Sequence, residues 1–339
     1  MKGFSAQEKR IEQLDLSNGR RRTIGIADAA VVRDFYTIIL PDGTRSDAWE
    51  DWLGETENQT KPALKRAISM PQFRLTDGDR QDLAQWISLQ LLRGTDLRRQ
   101  MDELASFTLR AQVGMGGFAY LRYVISKGLN REFTAEEIEP IWRDITSSEG
   151  PRVVTSTEEH LQSLTRMQDR VVIEIINRSW SRIRFERRTL LVSDSPIVPV
   201  PGEGFDERGL SGSPTILVPL NRTTLLRLDK PGELGLENDR DSRPSTVLAQ
   251  LHNALAITKS ERFVYFHPDD DPLPPDVEIP RAPLPAFRVS GRVDFINRER
   301  PLENVLKQIA ESEGERAGHL FANYKWPIPG YVLPPEISL

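Results

Sequence analysis

The chain reads as an α+β protein: a helical N-terminal half, then a small, mainly antiparallel sheet with one or two packed helices. Three observations predict it. Between about residues 46 and 178, apolar side chains recur every three or four positions behind capping signals. At Trp180 the period drops to two. Strand and helix patterns never alternate in the βαβ manner that a parallel sheet or a dinucleotide fold requires.

The elements follow in order. Short apolar pieces (Ile24-Gly25-Ile26, then Ala29 to Val32) precede Asp34-Phe35-Tyr36, and Thr37 to Leu40 leads into the turn Pro41-Asp42-Gly43. Ser46 is placed to cap a helix running to about Met70, with Asp47 and Glu50 in its first turn. Thr76 to Asp79 is a capping box with aspartate in the usual glutamate position. After it Leu83, Trp86, Ile87, Gln90 and Leu91 mark the clearest amphipathic helix. A helix from Asp96 to Ala111 is expected to break at Gly114, Gly116 and Gly117. Capping boxes at Thr134–Glu137 and Ser156–Glu159 open two more, ending near Ile145 and Asn177.

From Trp180 to Arg187, Ile183 and Phe185 alternate with Arg182, Arg184 and Glu186, the pattern of a half-buried strand, and Thr189 to Val192 reads as its partner. Strands follow at Thr215–Val218 and Thr223–Leu228, a helix at Ser245–Ile257, and an extended segment at Arg262–Phe266. A single α+β domain over 1–266 is expected, its helical part at about 46–178 and its strand-rich part at about 180–266. Dense prolines and acids make 267–285 a linker or strap. Residues 286–339 form an extension, with one helix from Leu302 to Ser312, that packs on the body.

Composition narrows the function. The chain has 339 residues, a net charge of −5 and no cysteine. Disulfides, thiol catalysis, iron–sulfur clusters and Cys-ligated zinc are thereby excluded. The four histidines are scattered without HxH or HxxxH spacing, so no metal site is expected. No apolar run reaches the roughly 20 residues of a membrane helix, and the N-terminus has no signal-like apolar stretch. The composition fits a soluble, cytoplasmic, bacterial protein. No GxSxG elbow, P-loop, HExxH or GxGxxG is present. Asp269 to Asp271 reads as a solvated charge run rather than a cation loop. His160 and His252 read as helix-face residues rather than catalysts.

A few residues carry chemistry. Gln90 and Arg93 lie one heptad after Leu83 and Trp86, so an amide and a guanidinium fall on an inward stripe and need partners. They mark either a polar pocket or a structural network. Ser193-Asp194-Ser195-Pro196 ends an apolar strand, where Asp194 is either a carboxylate presented to a site or the acceptor of an Asx-type turn. Arg178, Arg182, Arg184, Arg187 and Arg188 form a basic strip, net +4 after Glu186. The strip would track phosphates, or face solvent on an edge strand.

Together these segments resemble a bacterial domain-of-unknown-function family, number 4238. The likeness rests on Asp34-Phe35-Tyr36, the Asp47-to-Glu57 helix, Gln90-Leu91-Leu92-Arg93, Ser193-Asp194-Ser195-Pro196, Val218-Pro219-Leu220 and Asn253, in that order, over about residues 20–266. Members open with a His-Tyr-Val-Pro motif upstream of the first strand. This chain lacks it, and its start resembles the region just after. The resemblance implies no established activity or cofactor, but it groups Gln90, Arg93 and Asp194 into one site.

Two functions compete. One is an enzyme, such as a nuclease or other hydrolase of a defence or toxin setting. In it Asp194 is the general base or metal ligand, Arg93 holds an anionic substrate, and Gln90 orients. Ser193, Asn253, Arg182 and Arg184 then bind substrate, nucleic acid included. The other is a non-catalytic binding or interaction protein whose polar set is a buried structural network.

Overall fold

The computed structural model describes residues 2–29, 36–39, 44–146, 157–201, 209–232, 239–274, 277 and 279. The turn at 41–43, the cap at Ser156 and the helix expected at 302–312 lie outside them. In chain order the elements are β1 (Arg10–Asp15), β2 (Arg21–Gly25), β3 (Ile38–Ile39), β4 (Arg45–Ser46), α1 (Ala48–Ser69), α2 (Asp77–Leu92), α3 (Thr95–Gly128), α4 (Ala135–Thr146) and α5 (Thr157–Ile176). Then come β5 (Ser179–Arg184), β6 (Val192–Ser193), β7 (Val198–Pro199), the short α6 (Gly209–Gly212), β8 (Thr215–Asn221), β9 (Thr224–Asp229), β10 (Arg240–Ser242), α7 (Thr246–Lys259) and β11 (Phe263–Phe266). The α+β reading holds, with helices concentrated in the first half and strands in the second.

The described residues divide into two compact units. One takes the described parts of 2–97 and 157–279, the other those of 98–146. In the smaller unit α3 from Arg98 onward and α4 bury Ala105, Val113, Leu121, Val124, Ile125, Phe133, Ile138 and Ile145. Its capping box forms as the spacing predicts: the Thr134 N–H donates to Glu137 Oε2 and the Glu137 N–H to Thr134 Oγ1. The expected helix break falls at one glycine. Gly117 has φ +73, a conformation glycine adopts without a Cβ penalty, whereas 114–116 stay within the helix.

The larger unit is layered. A five-stranded sheet in the order β10-β5-β9-β8-β7 occupies the middle. On one face α1, α2 and α5 cover Trp180, Ile216, Val218, Leu226 and Leu228. On the other, Ile183, Leu217 and Leu225 meet the core of a four-stranded antiparallel sheet, β2-β1-β11-β6, together with α7. The alternation of Ile216, Leu217 and Val218 between two cores is the two-residue period of a strand covered on both sides. The described part of the proline-rich segment adds Leu273, Val277 and Ile279 to the second core.

This layering corrects three expectations. First, β5 is not half-buried on a sheet edge. It lies between β10 and β9, and Ser179 to Ile183 are all buried. Arg182 therefore points at the helix layer and is 0% exposed. Second, the strand after Thr189 does not pair with β5. β6 pairs with β11 in the other sheet, while the Leu190 N–H donates to the carbonyl of Arg222. Third, Ser46 does not cap α1. It belongs to β4, and α1 starts one residue later behind Asp47, whose carboxylate accepts from the Thr37 hydroxyl.

One strand, β1, carries no sequence signal of its own. In β1 the buried apolar residues, Ile11 and Leu14, stand three apart rather than two. The strand forms because its partners β2 and β11 complete its hydrogen bonds, with Leu14 opposite Val264. The capping box of α2 forms as written. Thr76 Oγ1 accepts from the Asp79 N–H, and Asp79 in turn accepts from the Thr76 N–H. A hydrogen bond from Arg66, aided by Thr76, holds the Asp79 carboxyl below its ordinary range.

Candidate functional site

The helix layer and the second sheet enclose a cleft of about 990 Å³ within the larger unit. On the helix side α1 contributes Glu50, Leu53, Gly54, Glu57, Lys61 and Leu64, which recur at three- and four-residue intervals and so share one face. From α2 come Trp86, Gln90 and, at its C-cap, Arg93. The sheet side is made by Gln13 of β1, Val192 to Asp194, Glu261 to Phe263 and Tyr265.

Arg93 is held by groups from three segments of the chain. Its Nη1 donates to Glu57 Oε1 at 2.7 Å and its Nη2 to Gln90 Oε1 at 2.7 Å. Its backbone carbonyl accepts from the Tyr36 hydroxyl at 3.1 Å. Two neighbours thus fix the plane of a guanidinium that is 28% exposed. Each uses one N–H of the five, which leaves a face of the fork able to meet an anion. Glu57 was missed in the sequence because it is 36 positions from Arg93; only the antiparallel packing of α1 on α2 brings them together.

The opposite wall is a loop held by carboxylates. Asp194 accepts three backbone N–H groups, from Glu261, Arg262 and Phe263, at 2.9, 2.7 and 2.9 Å. Ser193 Oγ donates to the Ser195 carbonyl and accepts from the Ser195 N–H, closing a local turn. Asp194, expected as a general base or metal ligand, gives three of its roughly four acceptor sites to the 261–263 turn, which leaves one on Oδ1 for another partner. Among the described residues no three histidine or carboxylate side chains gather in a way that would hold a metal ion.

Asp15 secures the same loop from the side. Arg262 donates to it through Nη2 at 2.8 Å and Nε at 3.1 Å, and Ser17 adds two hydrogen bonds. The Arg262 hydrogen bond, opposed by burial and reinforced by Ser17, lowers the Asp15 carboxyl from 3.8 to about 2. A carboxyl depressed in the folded state stabilises the fold fully above its unfolded value and loses that contribution as pH falls toward the folded one. The melting temperature of the wild type is therefore expected to fall between about pH 4 and pH 2 more steeply than that of Asp15→Asn. Parallel melting curves for the two proteins across that window would remove the assignment.

Of the residues singled out in the sequence, Gln90, Arg93, Ser193 and Asp194 line this one cleft. The other three serve the fold. Asn253 is saturated: its Oδ1 accepts from the Leu191 N–H, and its Nδ2 donates to the carbonyls of Thr189 and Pro272. Its neighbour His252 is fully buried, and burial lowers it to about 4, so the ring is neutral at pH 7. Arg182 donates to the carbonyls of Ala67 and Met70 and to Asp241; Arg184 donates to those of Ile68 and Met70. Both arginines satisfy the open carbonyls at the C-terminal end of α1, where a cation also meets the negative end of the helix dipole. With Arg178 and Arg182 buried, the five arginines do not form one continuous strip; Arg184, Arg187 and Arg188 remain exposed.

Fold and site together define the larger unit as a layered α+β protein with a cleft anchored on a fixed arginine. The chain belongs to the family of proteins of unknown function DUF4238, which it matches over residues 1–270. No curated protein and no solved structure matches it. Among the described residues no helix is long and apolar enough to cross a membrane.

Proposed function

We propose that the protein binds a small organic anion in this cleft, with Arg93 as the recognition group and Glu57, Gln90 and Tyr36 holding it in place. The observation that carries the reading is convergence. Tyr36, Glu57, Gln90–Arg93, Ser193–Pro196 and Pro219–Leu220 come from the separate segments on which the family likeness rests, and each places residues on the same cleft. A packing role alone would not bring these segments to one solvent-filled space. Charge favours a small ligand over a nucleic acid. Four cationic side chains and five carboxylates line the cleft, so a polyanion would meet repulsion along most of its length, whereas one anionic group is accommodated at Arg93.

A hydrolase, in its sharpest form a nuclease of a defence or toxin setting, has less support because Asp194 is committed to the loop. If turnover occurs, Glu57 is the better candidate acid–base group: it adjoins Arg93 and its side chain is 45% exposed.

The test is Arg93→Gln against the wild type in a thermal-shift panel of inorganic phosphate, nucleoside monophosphates, dicarboxylates and monocarboxylates. A ligand at 100 times its Kd stabilises the folded state by about 2.7 kcal/mol. That corresponds to a rise of several degrees in Tm. The wild type is expected to show such a rise with at least one anion and Arg93→Gln to show none, while the two ligand-free proteins melt within about 2 °C of each other. An anion that stabilises both equally, or a panel that stabilises neither, refutes the proposal.

A further inference from the structure

We propose that Gly54 is the residue that admits the body of the ligand, and that the ligand is a monocarboxylate carried on an apolar body; both rest on the cleft being the binding site. Gly54 stands in the interior of the 22-residue α1, where glycine is less favourable than every residue except proline. The fold gives no reason for it. A Cβ built there meets no atom within 4 Å, and the residue needs no positive φ. Gly3 shows what a packing requirement looks like: a Cβ at that position would lie 2.7 Å from the Cβ of Asn221.

Gly54 lies on the cleft face of α1, one turn from Glu50 on one side and from Glu57 on the other, and Glu57 is the partner of Arg93. The missing side chain therefore leaves open space on the same helix face that carries Glu57, the partner of Arg93. A glycine with open space at a cleft wall marks close approach by something other than the protein's own atoms. The walls near it include Leu53, Leu64, Trp86, Leu220 and Phe263, which suit an apolar body. Glu50 and Glu57 flank this space, so a doubly charged head would be repelled where a single carboxylate is matched to the fork of Arg93.

The experiment uses the full chain and three probes of increasing size: benzoate, cinnamate and 1-naphthoate. Wild type, Gly54→Ala, Gly54→Leu and Arg93→Gln are compared by ligand-free melting and by calorimetric titration. Gly54→Ala is expected to raise the ligand-free Tm by about 1–3 °C, because alanine suits the helix and meets open space. Gly54→Leu is expected to keep a Tm at or above wild type and to weaken the binding of the larger probes at least ten-fold. A fall in Tm for Gly54→Ala would show that the fold itself needs glycine and would overturn the inference. Equal binding by Gly54→Leu and wild type, with loss in Arg93→Gln, would overturn the role of Gly54 and leave the cleft reading intact. Binding of phosphate or nucleotides by the wild type, with none of the three carboxylates, would overturn the ligand class alone. No binding of any anion would overturn the site and this inference together.

Discussion

Replacing Arg182 with leucine is expected to cost the fold about 2–4 kcal/mol, chiefly because it leaves buried backbone carbonyls without a donor. The guanidinium is 0% exposed and makes two hydrogen bonds to Asp241, at 2.7 and 2.9 Å, and two through Nη1 to the carbonyls of Ala67 and Met70. Leucine fills much of the volume but leaves those carbonyls without a donor and Asp241 without its cation. Burial pushes the Asp241 carboxyl up, and Arg182, the Phe73 N–H and Arg184 outweigh it, so the carboxyl sits below its ordinary range. Asp241 stands opposite Arg182 in the parallel β10–β5 pair and also fixes the Phe73 N–H, which ties the α1–α2 connection to the sheet. Urea unfolding followed by tryptophan fluorescence reads the loss, because Trp180 lies in the same strand. A substrate-binding Arg182 would instead leave the unfolding midpoint unchanged, and that result would reverse the assignment.

Asp194→Ala is the second large effect, with an expected loss of about 2–4 kcal/mol. Three backbone N–H groups lose a charged acceptor at once, and hydrogen bonds to charged groups contribute more than neutral ones. The loss is local in origin. Amide exchange at Glu261, Arg262 and Phe263 is expected to accelerate well beyond that of the core strands. Ligand binding is expected to fall together with stability, because the 261–263 turn forms one wall of the cleft. Arg93→Gln separates the two quantities, losing binding at nearly unchanged melting. The pair of variants therefore distinguishes a residue that holds the wall from one that meets the ligand. An Asp194→Ala protein that melts like wild type but has lost activity would restore Asp194 to a catalytic role.

The two variants also mark where sequence reasoning succeeded and where it stopped. Gln90 and Arg93 were legible because a heptad offset from Leu83 and Trp86 places them on an apolar stripe. Polar groups in that position must find partners, and these find each other and Glu57. Asp194 was legible as a special carboxylate at the end of a strand. What it does there was not, since its three donors lie 67 to 69 positions away. Asn253 was singled out through the family likeness and proved to join Thr189, Leu191 and Pro272. Arg182 was placed with Arg184 on an outward strand face, meeting phosphate or solvent, because alternation shows only that a strand has two faces. It does not show what covers the second one. Tyr36 and Glu57 stood in family-like segments, yet nothing in their local spacing pointed to Arg93.

Local chemistry by itself determined the α+β class, the helices behind the capping boxes at Thr76 and Thr134, the strands at Thr215 and Thr223, and the stripe that carries Gln90 and Arg93. Each follows from periodicity, capping or turn preference, which act over a few residues. Tertiary structure alone decided that β1, with no period-two signal, joins β11 some 250 residues later, that β5 is buried on both faces, and that β6 leaves the sheet of its neighbour in sequence. It also decided the cleft, whose two walls meet only when α1 and α2 pack over the central sheet. Those outcomes rest on pairing and burial between distant segments, where the free energy lies in the partner as much as in the residue, and a partner cannot be read from one strand of text.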